Sequence, residues 1–143
     1  MRNFEYALVR GFDFHEFNGS IKLRKGTVDV CLGDPYSGLL LEYLLHHNQS
    51  FYDNLEYARE LPKGCNSIED AYYKGLLDCV INPVDIQEAT IGILTPIKLR
   101  KAEKALSAID FIKICGRKSA DARAYHLNLR GIAHAYESFR VNL

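Results

Sequence analysis

The sequence predicts an α+β fold. An N-terminal antiparallel β-meander of three to four strands covers about residues 3–32, and a larger helical part of five to six helices covers about 35–141. Three observations carry this expectation. Asn18-Gly19 joins segments that alternate apolar and polar residues, Asp34-Pro35 and Thr95-Pro96 each open an apolar-periodic run, and no Pro/Gly-rich linker divides the 143 residues. With 48% hydrophobic and 25% charged residues, the composition is that of one globular domain spanning 1–143.

The meander comes first. Phe12-Asp13-Phe14-His15, Ile21-Lys22-Leu23-Arg24 and Thr27-Val28-Asp29-Val30-Cys31-Leu32 alternate with period two. Asn-Gly suits a two-residue type I′ hairpin, whose central positions both need φ > 0. Lys25-Gly26 makes a second tight joint, and residues 4–9 supply a fourth strand.

After Gly33 the period becomes helical. Asp34 caps a helix with Pro35 in its first turn, where the missing N–H costs nothing. Over about 35–46 that helix is apolar nearly all round, which places it at the centre of the core. Ser50 opens a second helix, stopped by Pro62 and Gly64. Asn66-Ser67-Ile68-Glu69 resembles a capping box and opens a third, with Ile68, Tyr72, Leu76 and Cys79 or Val80 as its stripe. Asn82-Pro83 starts a short fourth. Thr95-Pro96 starts a fifth, followed by Leu99, Ala102, Leu106, Ile109 and Ile112. Gly116 then reads as its C′ residue and Ser119 as the cap of a last helix, on which Ala122, Tyr125, Leu129, Ile132, Tyr136 and Phe139 recur at heptad-like spacing.

Signatures of common chemistries are missing. The sequence contains no P-loop, no dinucleotide-binding glycine fingerprint and no serine-hydrolase elbow. Its four cysteines, Cys31, Cys65, Cys79 and Cys115, include no C-x-x-C pair, so reduced thiols are expected rather than a zinc site. His126 and His134 are eight residues apart, ~12 Å along a helix, too far to chelate one ion. His46 and His47 suit a helix C-terminus. No catalytic residue, metal or cofactor is therefore assigned. Asp13, His15 and His126 are the candidates that a motif-poor enzyme would use. No apolar run reaches the ~20 residues of a membrane span, and residues 1–5 do not resemble a secretory signal, so a cytoplasmic protein is expected.

Charge is the most distinctive feature. Residues 1–95 carry 8 basic and 14 acidic side chains, whereas residues 96–143 carry 10 basic and 4 acidic ones. The basic cluster Lys98, Arg100, Lys101, Lys104, Lys113, Arg117 and Lys118 is therefore the candidate partner- or anion-binding set. Lys98 stands in a first helical turn, where the macrodipole disfavours a cation, as if an anion were to offset it.

Three targets compete for this cluster: an acidic protein, nucleic-acid phosphates, and the chain's own acidic half. The sequence pI of about 7.0 and the lack of aromatics within 96–110 weigh against nucleic acid. The expected function is non-catalytic binding of a protein partner with an acidic surface. A small regulator or inhibitor of a protein complex, of the kind encoded by viruses and mobile elements, fits that expectation. A nucleic-acid-binding protein and a motif-poor enzyme are the alternatives. The seam Tyr125, Leu129, Ile132, Tyr136 and Phe139 needs burial, either in the chain's own core or in a homodimer.

Overall fold

The computed structural model describes residues 23–58, 63–74, 78–119 and 122–141; within these, the side chains of 48–58, 68–69, 116–119 and 139–141 are left aside. In chain order the elements are α1 (Lys25–Val30), α2 (Pro35–Ala58), α3 (Ile68–Tyr73), β1 (Cys79–Ile81), α4 (Pro83–Ala89), α5 (Pro96–Ala108), β2 (Ile112–Ser119), β3 (Ala122–Leu127) and α6 (Leu129–Val141). The α+β class is as the sequence predicts. The strands, however, lie in the middle and C-terminal part of the chain.

The long helix α2 is the axis of the core. Leu40, Leu41 and Leu44 are fully buried on it, and they share one core with Leu99 and Leu106 of α5, Tyr125 and Leu127 of β3, and Leu129 and Ile132 of α6. Gly38 lets α1 lie against α2, because a Cβ there would stand 3.2 Å from Val28 Cγ2 and 3.3 Å from the Val28 backbone. The sheet has the order β1-β3-β2 and is antiparallel throughout, with Cys79 opposite Tyr125 and Ile112 opposite Leu127.

Polar groups fix the joints. Tyr72 donates its hydroxyl to the Leu127 carbonyl and accepts from the Leu129 amide at 3.1 Å, pinning the turn from β3 into α6. Asn128 caps α6, its side chain accepting from the Gly131 amide at 3.1 Å, and its backbone N–H donates to the Phe111 carbonyl at 2.9 Å.

Several expectations are corrected. Of the N-terminal meander, the hairpin at Asn18-Gly19 and the strands before Leu23 lie outside the described residues. The segment Thr27–Leu32 is not a strand: residues 25–30 form α1. The apparent alternation rests on Val28, Val30 and Leu32, but the buried positions are Thr27, Val30 and Cys31, spaced i, i+3, i+4 as on one helix face, and Leu32 is exposed. The helices expected at 35–46 and from Ser50 are one continuous helix. The cap expected at Asn66 with Glu69 lies one residue later: Ser67 is the N-cap, its hydroxyl accepting from the Asp70 amide at 3.0 Å, while Asp70 Oδ2 accepts from the Asn66 amide at 3.2 Å. Helix α3 ends at Tyr73, and Cys79 and Val80 belong to β1.

The largest correction is C-terminal. Asp110, not Gly116, ends α5, and Gly116 and Ser119 lie in β2. Tyr125 is on β3 rather than on the last helix, so the expected helical hairpin is a β-hairpin followed by α6. Inward-facing Tyr125 and Leu127 then continue into the stripe Leu129, Ile132 and Tyr136, which imitates one unbroken heptad seam.

Candidate functional site

The basic cluster resolves into groups with different partners. Thr95 caps α5 by accepting from the Lys98 amide at 3.3 Å, with Pro96 in the first turn. The Lys98 ammonium donates to the Tyr36 hydroxyl at 2.8 Å and lies 4.4 Å from the centroid of that ring. These contacts with Tyr36 of α2 partly offset its unfavourable place at the helix N-terminus.

Arg100, Lys101 and Lys104 are exposed on α5, and Lys113 is exposed on β2. Among the described residues, none of these four has an ion-pair partner; the pairs present are Arg24–Glu42, Lys25–Asp29, Lys74–Asp70, Arg123–Glu103 and His126–Asp78. Arg117 and Lys118 belong to β2, where Arg117 stands in register opposite Arg123; their side chains lie outside the described residues.

Beside these cations an open groove of about 570 Å³ runs between the C-terminal half of α5 and the β2–β3 hairpin. Arg100, Lys104 and Ser107 line one wall, Arg123 the other, and Ala108 and Ile114 give it an apolar side. Glu103, 3% exposed, sits at its base. It accepts from Arg123 Nη1 at 2.6 Å and from the Tyr125 hydroxyl at 2.6 Å. A buried carboxylate is tolerated because cation and hydroxyl both bond to it. The hydrogen bond to Glu103 raises the Arg123 pKa, while burial, followed by that carboxylate, raises the Tyr125 phenol. By sequence alone Glu103 counts only as a stray negative charge among the cations. Its place in the buried stripe Leu99, Ala102, Glu103, Leu106 is the signal that could have found it.

At the start of α5 the surface becomes apolar. Ile91, Ile93 and Ile97 are exposed in and beside the α4–α5 turn, Ile91 to 89%. Ile97 is one helical turn from Arg100 and Lys101, so the aliphatic and cationic groups share a face.

His126 has acquired a carboxylate: its Nδ1 lies 2.6 Å from Asp78 Oδ1, and its ring stacks on Tyr72 at 4.9 Å. The pair straps the segment before β1 to β3. Among the described residues, no hydroxyl, thiol or amine hydrogen-bonds to His126. His134 is exposed on α6, and Asp13 and His15 lie outside the described residues. No group of three or more His, Cys, Asp or Glu residues that could hold a metal ion occurs among the described residues. Nor is any helix among them long and apolar enough to cross a membrane.

Of the expected self-association seam, Tyr125, Leu129, Ile132 and Tyr136 are all buried against this chain's own core, and the Phe139 side chain lies outside the described residues. The burial demand that suggested a dimer is thus met within the chain at those four positions. No family model, curated protein or solved structure matches the chain.

Proposed function

We propose that this chain acts by binding, without catalysis, a partner protein that presents an acidic surface, and that the contact face is the exposed side of α5 with the adjoining β2. One observation carries the reading. Arg100, Lys101 and Lys104 are exposed on α5 and Lys113 is exposed on the neighbouring β2, and the acidic groups paired among the described residues are paired with other cations. Among the described residues, ion pairing within the chain does not neutralise the cluster. A protein partner is favoured over nucleic acid because Ile91, Ile93 and Ile97 adjoin it. Aliphatic contact suits the dry centre of a protein interface, while phosphate backbones are bound through cations and hydrogen-bond donors rather than aliphatic side chains. A regulator or inhibitor of a larger complex would use such a face.

The test reverses two cations that lie outside the groove. Lys101→Glu with Lys113→Glu should leave stability within about 0.5 kcal/mol, since exposed charges contribute little to folding. Capture of protein partners from native lysate should fall at least tenfold, and the capture by the unaltered chain should survive nuclease treatment. Capture unchanged by the double substitution would make this face ordinary solvated surface. Retention abolished by nuclease would assign it to nucleic acid.

A further inference from the structure

We infer that the groove between α5 and the β2–β3 hairpin is a binding site for a phosphate monoester carried on an apolar group. The inference rests on and deepens the acidic-partner reading, because a partner's phosphorylated side chain presents this chemistry, as does a small organic phosphate. Three cations, Arg100, Lys104 and Arg123, surround the groove with one carboxylate, Glu103. The net charge of +2 matches the roughly −1.5 to −2 of a phosphate monoester near neutral pH better than a single carboxylate.

The carboxylate is already committed. Glu103 bonds to Arg123 Nη1 and to the Tyr125 hydroxyl, so it holds Arg123 in place. Only Nη1 of Arg123 is used in this way; among the described residues its Nε and Nη2 make no hydrogen bond, which leaves an edge of the guanidinium for two parallel bonds to phosphate oxygens. Arg100 and Lys104, one turn apart on α5, supply the remaining charge, and Ser107 adds a hydroxyl. Ala108 and Ile114 offer an apolar wall to the organic part. The volume of about 570 Å³ exceeds what a bare phosphate would fill and lies in the ~300–1,000 Å³ range of small-molecule sites.

The experiment titrates the intact chain with phenyl phosphate, inorganic phosphate and benzoate at equal ionic strength. It follows affinity by calorimetry and the Arg123 Nε–H resonance by NMR. Phenyl phosphate should bind at least tenfold more tightly than benzoate and more tightly than inorganic phosphate, and should shift the Arg123 signal. Arg100→Gln with Lys104→Gln, both at exposed positions, should weaken it at least tenfold with an unchanged melting temperature, while Lys113→Gln should stay within twofold.

An acidic peptide tested with and without a phosphorylated tyrosine identifies the source. Tighter binding than phenyl phosphate assigns the site to a modified partner, and equal or weaker binding to a small ester. Benzoate binding as well as phenyl phosphate, or indifference to the Arg100/Lys104 change, would overturn the inference. If partner capture still depended on Lys101 and Lys113 in that case, the partner reading would stand without it. Phosphate binding together with capture indifferent to those two lysines would leave the groove a phosphate site and remove the partner face.

Discussion

Cys31 and Cys115 show how far one residue type can be driven apart by its surroundings. Cys31 is buried at the end of α1, and burial first, then the carboxylates of Asp34 and Glu42, push its thiol up to about 12. Cys115 is exposed on β2. Since the thiolate is the reactive form, iodoacetamide at a pH of about 8.5 should label Cys115 in the folded protein and reach Cys31 only after unfolding. Peptide mass spectrometry after timed labelling checks this, and equal labelling rates would contradict the burial of α1 on α2. The same shift has a pH consequence. Unfolded, the thiol titrates near 9; folded, it holds its proton until about 12. Between those values the unfolded state binds fewer protons, so stability contributed by the neutral thiol is present below pH 9 and is lost as pH rises toward 12. Unfolding free energy should therefore decline over that window, and less steeply in Cys31→Ala.

Three helices end in the same way, and that ending explains most of what the sequence conceals. After α1, the Gly33 amide donates to the Val28 carbonyl and the Leu32 amide to Asp29. After α4, Gly92 donates to Gln87 and Ile91 to Glu88. After α5, Phe111 donates to Leu106 and Asp110 to Ser107. Each is a Schellman motif, but the left-handed C′ residue is Leu32 (φ 59°), Ile91 (φ 56°) or Asp110 (φ 62°) where glycine is usual. A helix stop carried by Asp110 is invisible to a search for glycine, so by pattern alone α5 runs on to Gly116 and the β-hairpin reads as helix. The N-caps at Ser67, Asn82 and Thr95 are legible because capping needs particular side chains, and those side chains are present. At the candidate site, the exposed lysines can be read from composition; Arg123, Glu103 and Asp78–His126 cannot, because their pairing depends on tertiary contacts 20 to 48 residues apart. Left-handed backbone costs a residue with a Cβ roughly 1–2 kcal/mol, and Leu32 and Ile91 are largely exposed, so neither recovers that cost through burial. Leu32→Gly and Ile91→Gly should each stabilise the fold by about 0.5–1 kcal/mol in urea denaturation, the gain being reduced by the greater backbone entropy of unfolded glycine. If Ile91→Gly also weakens partner capture while Leu32→Gly does not, the exposed isoleucine is kept for contact.

At the scale of the whole molecule, the two ends of the described chain meet over one buried carboxylate. Glu42 on α2 is fully buried and accepts from Arg24 Nε at 3.0 Å, Arg24 Nη2 at 2.7 Å and the Thr27 hydroxyl at 3.2 Å. The Thr27 hydroxyl also hydrogen-bonds the Tyr136 hydroxyl of α6, 109 residues away in sequence. This junction locks α1 and α6 to the central helix, so neither end should melt before the core. Removing one hydroxyl disturbs a desolvated network, whereas removing both deletes the contact together. Thr27→Val and Tyr136→Phe should each cost about 1–3 kcal/mol, and the double variant less than their sum, with a coupling of about 1–2 kcal/mol. The chain has nine tyrosines and no tryptophan, so tyrosine fluorescence reports the packed core while far-UV circular dichroism reports the helices. In the unaltered protein the two transitions should coincide, as a two-state domain requires. Separate midpoints, or strictly additive costs in the double variant, would mean that α1 and α6 do not close on the core as one cooperative unit. The basic face on α5 would then rest on a scaffold whose two ends open independently of it.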